Sequence, residues 1–367
     1  MRTRPDLTRW ACWAALCGLP TWAMAQTSYQ YVALVPTTSA SPGLSRVEAS
    51  LGLHVNRSGK VAGLAFVKSG VYFNWRGLRY DATYNALPTV WSPTGQPTPL
   101  ELGTDKKTST YAVHGINNAG LVVGASPNPN TVPTLWNASG KRTVLDQRTG
   151  RARAINDSGV VVGSVVTSGS LELSALQRAT MWRNGVATDL HAQLSLGPDR
   201  SSVARSINAS GAIAIQVDAD AQCHVLSQGV AQPLATPPGH RCRIVRLADD
   251  GRVYGDVIDA LGYQHPTVWT QGQAQPLPTE PPPPDVPGPL ALMKAANASG
   301  VAVGFDQSGP VVWRNGGQSA FTTPVTGLPR DIGLPIGSIE AISDDGKLVV
   351  GLGPRGLVGW GLLLPRP

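Results

Sequence analysis

Nucleophilic catalysis needs a serine, a base and an orienting acid brought together, with a sharp Gly-x-Ser-x-Gly turn as one recognisable local form. The sequence has no such turn, and Gly169-Ser170 and Gly337-Ser338 read as ordinary loops. Six histidines are scattered along the chain without metal-ligand spacing. Glycoside cleavage needs two carboxylates facing each other across roughly 5 to 10 Å. Asp306 and Glu340 are a conceivable pair, but nothing in the sequence links them. Asp218-Ala219-Asp220 resembles the start of a calcium loop yet lacks the glycine and distal glutamate that such a loop uses. No catalytic residue, metal site or cofactor is assigned on these grounds.

One register does collect like chemistry. Six residues before each of seven recurring glycines stand Leu53, His114, Arg153, Arg205, Val245, Lys294 and Glu340. His114, Arg153, Arg205 and Lys294 are the candidate ligand-binding residues, because basic groups at one height around a channel set up an anion-attracting field. The plainer reading is that they are solvated or salt-bridged channel residues.

The elements that must position this register come from an internal repeat, best seen in Ile155-Asn156-Asp157-Ser158-Gly159-Val160-Val161-Val162-Gly163. Its anchor glycines fall at 59, 120, 159, 211, 251, 300 and 346, a period that suits one four-stranded propeller blade. A small polar residue before Gly fits a tight turn in which the glycine takes positive φ and the Asn side chain bonds the turn's backbone. A second glycine four residues on, at Gly63, Gly124, Gly163, Gly255 and Gly304, points to close backbone packing or a bulge. Asn gives way to Ala248 and Ser343 in two drifted copies.

A second stretch ends in tryptophan before a turn glycine, at Trp91, Trp136, Trp182, Trp269, Trp313 and Trp360, with Leu226 in its place in the fourth repeat. A ring of ligand-stacking indoles is one reading. The stronger one is that a large residue at a fixed strand position fills the gap between blades. The third repeat resolves into strands at 151–155, 160–165, 179–182 and 186–190, and an inserted hairpin around 71–82 lengthens the first. The proline run in 280–289 reads as a stiff exposed connection. An apolar strand over 29–35 is left to complete the last blade, which ends near Trp360.

Composition agrees: only 14% of residues are charged, while 41 Gly and 31 Pro suit short strands and many turns. Arg2, Arg4 and Arg9 precede an apolar run ending in Ala23-Met24-Ala25, the layout of a cleaved secretion signal over residues 1–25. That run is too short and interrupted to span a membrane, and no later segment reaches the required length. The formal charge of +7, part of which leaves with the signal, is spread without the Lys/Arg runs of a nucleic-acid binder. Cys12 and Cys17 also leave, so Cys223 and Cys242 are expected to pair in an oxidising compartment.

The chain resembles the bacterial extracellular repeats of the HAF type from about residue 51 to 360. Their units combine an Ile-Asn-x-x-Gly-x-Val-Val-Gly stretch with a later x-Ala-x-x-Trp-x-x-Gly stretch. The His-Ala-Phe signature is reduced to His265 and Ala179 at separate repeats, with Thr mostly in place of Phe. The resemblance implies export and a propeller-like fold without a settled activity.

The expectation is an all-β, seven-bladed β-propeller over residues 26–367, periplasmic or extracellular and monomeric. It would bind a protein partner or an anionic glycan, and would not bind nucleic acid. The alternatives are an exported polysaccharide hydrolase or lyase, which several converging carboxylates in the channel would favour, whereas a basic or aromatic lining would favour binding, and a structural envelope component, which predicts a featureless channel.

Overall fold

The computed structural model describes residues 28–35, 47–74, 79–103, 111–128, 130–167, 176–197, 199–218, 222–329, 335–353 and 359–366. The secretion signal read over 1–25, Asp220 and the pair Gly169-Ser170 lie outside them. Six four-stranded sheets and one five-stranded sheet follow one another along the chain. They form the seven blades of a β-propeller, numbered here from the N-terminus. The third blade runs Gly150–Ile155, Val161–Val166, Gln177–Arg183 and Val186–Asp189, within two residues of the boundaries read from its sequence.

All seven anchor glycines have positive φ, between 77° and 87°, and each amide donates to the carbonyl three residues earlier. A side chain is disfavoured in that left-handed region, which explains why Gly survives where Asn does not. The asparagine does more than brace its own turn. Its Oδ1 accepts the amide four residues on, as in Val160 N to Asn156 Oδ1 at 3.0 Å, while its Nδ2 reaches the next blade. Asn56 donates to the Asn117 carbonyl (2.9 Å), Asn117 to Asn156, Asn156 to Asn208, and Asn208 to the Ala248 carbonyl (3.2 Å). Asn297 donates likewise to the Ser343 carbonyl at 3.2 Å. Two drifted copies interrupt this belt, since neither Ala248 nor Ser343 can supply the amide.

The core is divided among seven apolar clusters, one at each junction between neighbouring blades. Trp91, Trp136, Trp182, Trp269 and Trp313 are almost fully buried there, each between its own blade and the preceding one. Four of the indoles donate to a carbonyl of the preceding connection: Val35, Glu101, Ala235 and Pro278. The packing reading of the tryptophans therefore holds. Leu226 takes the position in blade 4, where Leu194 of the 3-10 turn His191–Leu194 joins the cluster. In blade 7 the position belongs to Leu363, which pairs with Leu348 as Trp182 pairs with Val161. Trp360, chosen from the sequence, lies three residues too early and pairs with Gly351. Tyr29 and Tyr31 supply the aromatic bulk at that junction.

Ser28–Ala33 lies antiparallel against Gly359–Arg366, from Ser28 opposite Arg366 to Ala33 opposite Gly361. It occupies the fourth-strand place of blade 7, and the two-residue strand Val325–Thr326 runs parallel beyond it. The extra length in blade 1 is not a separate hairpin. Its second and third strands, Val61–Asn74 and Arg79–Trp91, are both prolonged and stay paired to Asn74 opposite Arg79. Residues 280–289 carry no strand and are largely exposed between blades 5 and 6. Cys223, on the third strand of blade 4, is bonded to Cys242, on the first strand of blade 5, with 6.2 Å between their Cα atoms. No helix among the described residues is long and apolar enough to cross a membrane.

Candidate functional site

Each blade contributes its first strand to the channel, and all seven of those strands are bulged at a corresponding place, those of blades 1 and 7 at a second place as well. The pairing skips Leu53, His114, Arg153, Arg205, Val245, Lys294 and Glu340, the seven members of the register read from the sequence. A bulge leaves its extra residue out of the ladder and bends the strand. All seven residues line one central chamber of about 190 Å³.

The second glycine of the repeat belongs to this device. A Cβ on Gly63, Gly124, Gly163, Gly255 or Gly304 would sit 1.8 to 2.1 Å from the carbonyl oxygen two residues before the bulged residue. Those glycines let the second strand press against the bulge. Blades 4 and 7 carry Ile215 and Val350 there and are bulged all the same, so the glycine accommodates the bulge without causing it.

Charge is unevenly spread around the chamber. Lys294 on blade 6 and Glu340 on blade 7 form an ion pair at 3.0 Å and neutralise each other. On blade 3, by contrast, no carboxylate among the described residues forms an ion pair with Arg153. Burial pushes the Arg153 guanidinium down to about 9, helped by repulsion from Arg205 and Arg151, so it remains charged at neutral pH. Burial and then Arg153 hold the neighbouring His114 well below the usual imidazole range. His114 Nε2 and Arg153 Nε are buried without a hydrogen-bond partner. Such groups are costly in a folded protein unless something pairs with them.

Two further residues were missed by the sequence reading. His54 and Arg246 stand one position after the bulged residue and also line the chamber. Strict strand alternation would send them to the opposite face, and only the bulge brings both positions inward. Tabulating the next register as well would have found them. Burial lowers His54 to about 4, and a hydrogen bond to Val113 backbone opposes that shift.

The turn-side mouth is a smaller cavity of about 100 Å³, continuous with the chamber through a collar of Val55, Ile116, Ile155, Ile207 and Ile342. Three carboxylates line this mouth, and each is engaged in joining blades. Asp157 accepts both the backbone and side-chain amides of Asn118, and Asp249 accepts the Ala209 amide. Asp344 accepts the Ala298 amide and pairs with Arg57 at 3.3 Å and Arg246 at 3.1 Å.

The other sequence candidates resolve into structure. Asp306 does not line the chamber with Glu340; its carboxylate takes bonds from Ser308 and Gln318 in a hairpin turn. Asp218 pairs with Arg200 and accepts the Ser201 amide. Ser338 lies not in a loop but buried on the first strand of blade 7. Ser202 and His191 touch at 2.8 Å, but both are buried, the hydroxyl also accepts the Ala179 amide, and the other ring nitrogen faces the Gly197 carbonyl. That contact ties blade 3 to blade 4. No group of three metal-ligating side chains occurs among the described residues.

Fold and site together define a β-propeller with a basic, asymmetric channel. No family model matches the chain, and no curated protein matches it. Solved structures do. A catalytically inactive virginiamycin B lyase from Staphylococcus aureus, with quinupristin, is similar at a TM-score of 0.50 and 12% identity, over 91% of this chain and 98% of that one. The propeller domain of the Trilobed protease from Pyrococcus furiosus matches at a TM-score of 0.46 and 10% identity, over 78% and 99%. At these identities the first likeness shows the fold and nothing more.

Proposed function

We propose that the protein is an exported binding propeller of the HAF-repeat type, cleaved near Ala25 and acting as a monomer that holds an acidic glycan at its channel. The observation carrying this reading is that the guanidinium groups of Arg153 and Arg205, with the neutral imidazole of His114 beside them, line the chamber opposite a self-neutralised Lys294–Glu340 pair. A hydrolase or lyase would need carboxylates free to act on substrate. Glu340 is paired with Lys294, and the mouth aspartates are engaged between blades, an arrangement that favours binding over carboxylate-driven hydrolysis.

The test is a glycan array probed with residues 26–367, alongside a pull-down from envelope extracts. Acidic glycans should retain the protein, and Arg153→Glu with Arg205→Glu should abolish retention while the far-ultraviolet spectrum stays unchanged. Equal retention of the variant would refute the reading, as would capture of neutral glycans alone.

A further inference from the structure

We infer that the chamber takes a single oxyanion, the carboxylate at one end of an acidic sugar chain, lodged against blades 2 to 4 and delivered from the face opposite the Asn turns. The inference rests on the reading that the channel binds an acidic glycan. It adds which part of the glycan binds, from which side, and in what ratio.

The turn-side mouth is barred. Arg246 extends from blade 5 to Asp344 on blade 7, and Asp344 also holds Arg57 of blade 1. Three blades are thus tied across a cavity of about 100 Å³, above a collar of five β-branched side chains. A chain threaded through the ring would have to break both ion pairs and pass that collar. Toward the other end the field is positive. Arg151 precedes Arg153 by two residues on the same strand, farther from the turn, and is close enough to depress both Arg153 and His114. No carboxylate pairs with Arg151 or Arg153 among the described residues.

Size and wall chemistry limit what enters. At about 190 Å³ the chamber holds the volume of roughly six waters at ~30 Å³ each. That lies below the ~300 to 1,000 Å³ of pockets that enclose a drug-sized ligand. One sugar ring with its carboxylate fits this scale, and a run of sugars does not. Guanidinium nitrogens suit a carboxylate as charge-assisted donors. The two imidazoles can meet hydroxyls as donor or acceptor.

The experiment is calorimetric titration of residues 26–367 with oligogalacturonates of about four, eight and sixteen units. The ratio should stay at one protein per chain at every length, galacturonate monomer should displace the oligomers, and Arg153→Met should weaken binding at least tenfold. Arg205→Met gives the same check should the first variant fold poorly, as judged by its thermal transition. A ratio that rises with chain length would overturn end-on capture and leave the acidic-glycan reading standing. No heat with any uronate, including the case where peptides with free C-terminal carboxylates bind instead, would overturn both.

Discussion

Arg153 shows how a single residue can carry both cost and use. Its charge is retained in a largely buried site beside two like charges, and no carboxylate among the described residues pairs with it. Its counterpart Lys294 has a carboxylate at 3.0 Å and so has little attraction left to offer a ligand. The imidazoles give a pH signature. His54 on blade 1 and Arg151, Arg153 and Arg205 on blades 3 and 4 all act on His114, and both histidines are held in the neutral form. Their folded-state affinity for protons is below that of the unfolded chain, so stability is full above pH 6.5 and falls as the pH drops toward 4. Thermal unfolding followed from pH 7 to 4.5 should show that loss, and His54→Gln should flatten it. An unchanged profile in the variant would mean that His54 titrates normally. Among the turn residues, Asn156→Ala removes a donor to Asn208 and an acceptor for Val160, both buried. Unpaired buried groups cost about 1 to 3 kcal/mol each. A denaturation midpoint within error of the parent's would contradict the inter-blade belt.

At the scale of elements, the repeat was legible because its physics is local. A positive-φ glycine and a turn asparagine leave a fixed spacing, and that spacing alone placed the seven chamber residues in one register. Inter-blade consequences were less visible. Nothing in Ile155-Asn156-Asp157 reveals that Asn156 donates to the next blade, because the acceptor lies 52 residues on. Trp360 was misplaced because the blade 7 strand holds a Leu in the indole position, and the sequence shows only the nearest tryptophan. Arg246 escaped notice because alternation fails at a bulge. These elements make two testable statements. Gly163→Ala would drive a Cβ against the Arg151 carbonyl at 2.0 Å, so it should destabilise by about 1 to 3 kcal/mol, the range for overpacking, and also weaken ligand binding by shifting Arg153. Trp182→Ala should cost about 3 to 5 kcal/mol, as large-to-small core changes do, with its effect confined to stability. Equal loss of ligand affinity in both variants, measured where both remain folded, would argue against a specific role for the bulge.

For the molecule as a whole, seven apolar clusters in series make each blade depend on its neighbours, including blade 7 on blade 1 through Leu34, Trp91 and Leu362. The N-terminal strand contributes to the last sheet by pairing with Gly359–Arg366. Val32→Pro, opposite Leu362, should break that ladder and lower the unfolding temperature while broadening the transition. A sharp transition at the parent temperature would show that the strand adds nothing to the ring. The Cys223–Cys242 bond adds a covalent tie between blades 4 and 5, worth about 3 kcal/mol on the chain-entropy estimate for a loop of this size. A framework held in these ways can carry a cluster of like charges at its centre. The most direct measurement is a crystal structure of residues 26–367 with digalacturonate. The predicted result is one carboxylate between Arg153 and Arg205 in the chamber, with the second sugar directed away from the Asn turns. Digalacturonate bound only on an outer face, with the chamber filled by water, would contradict the account.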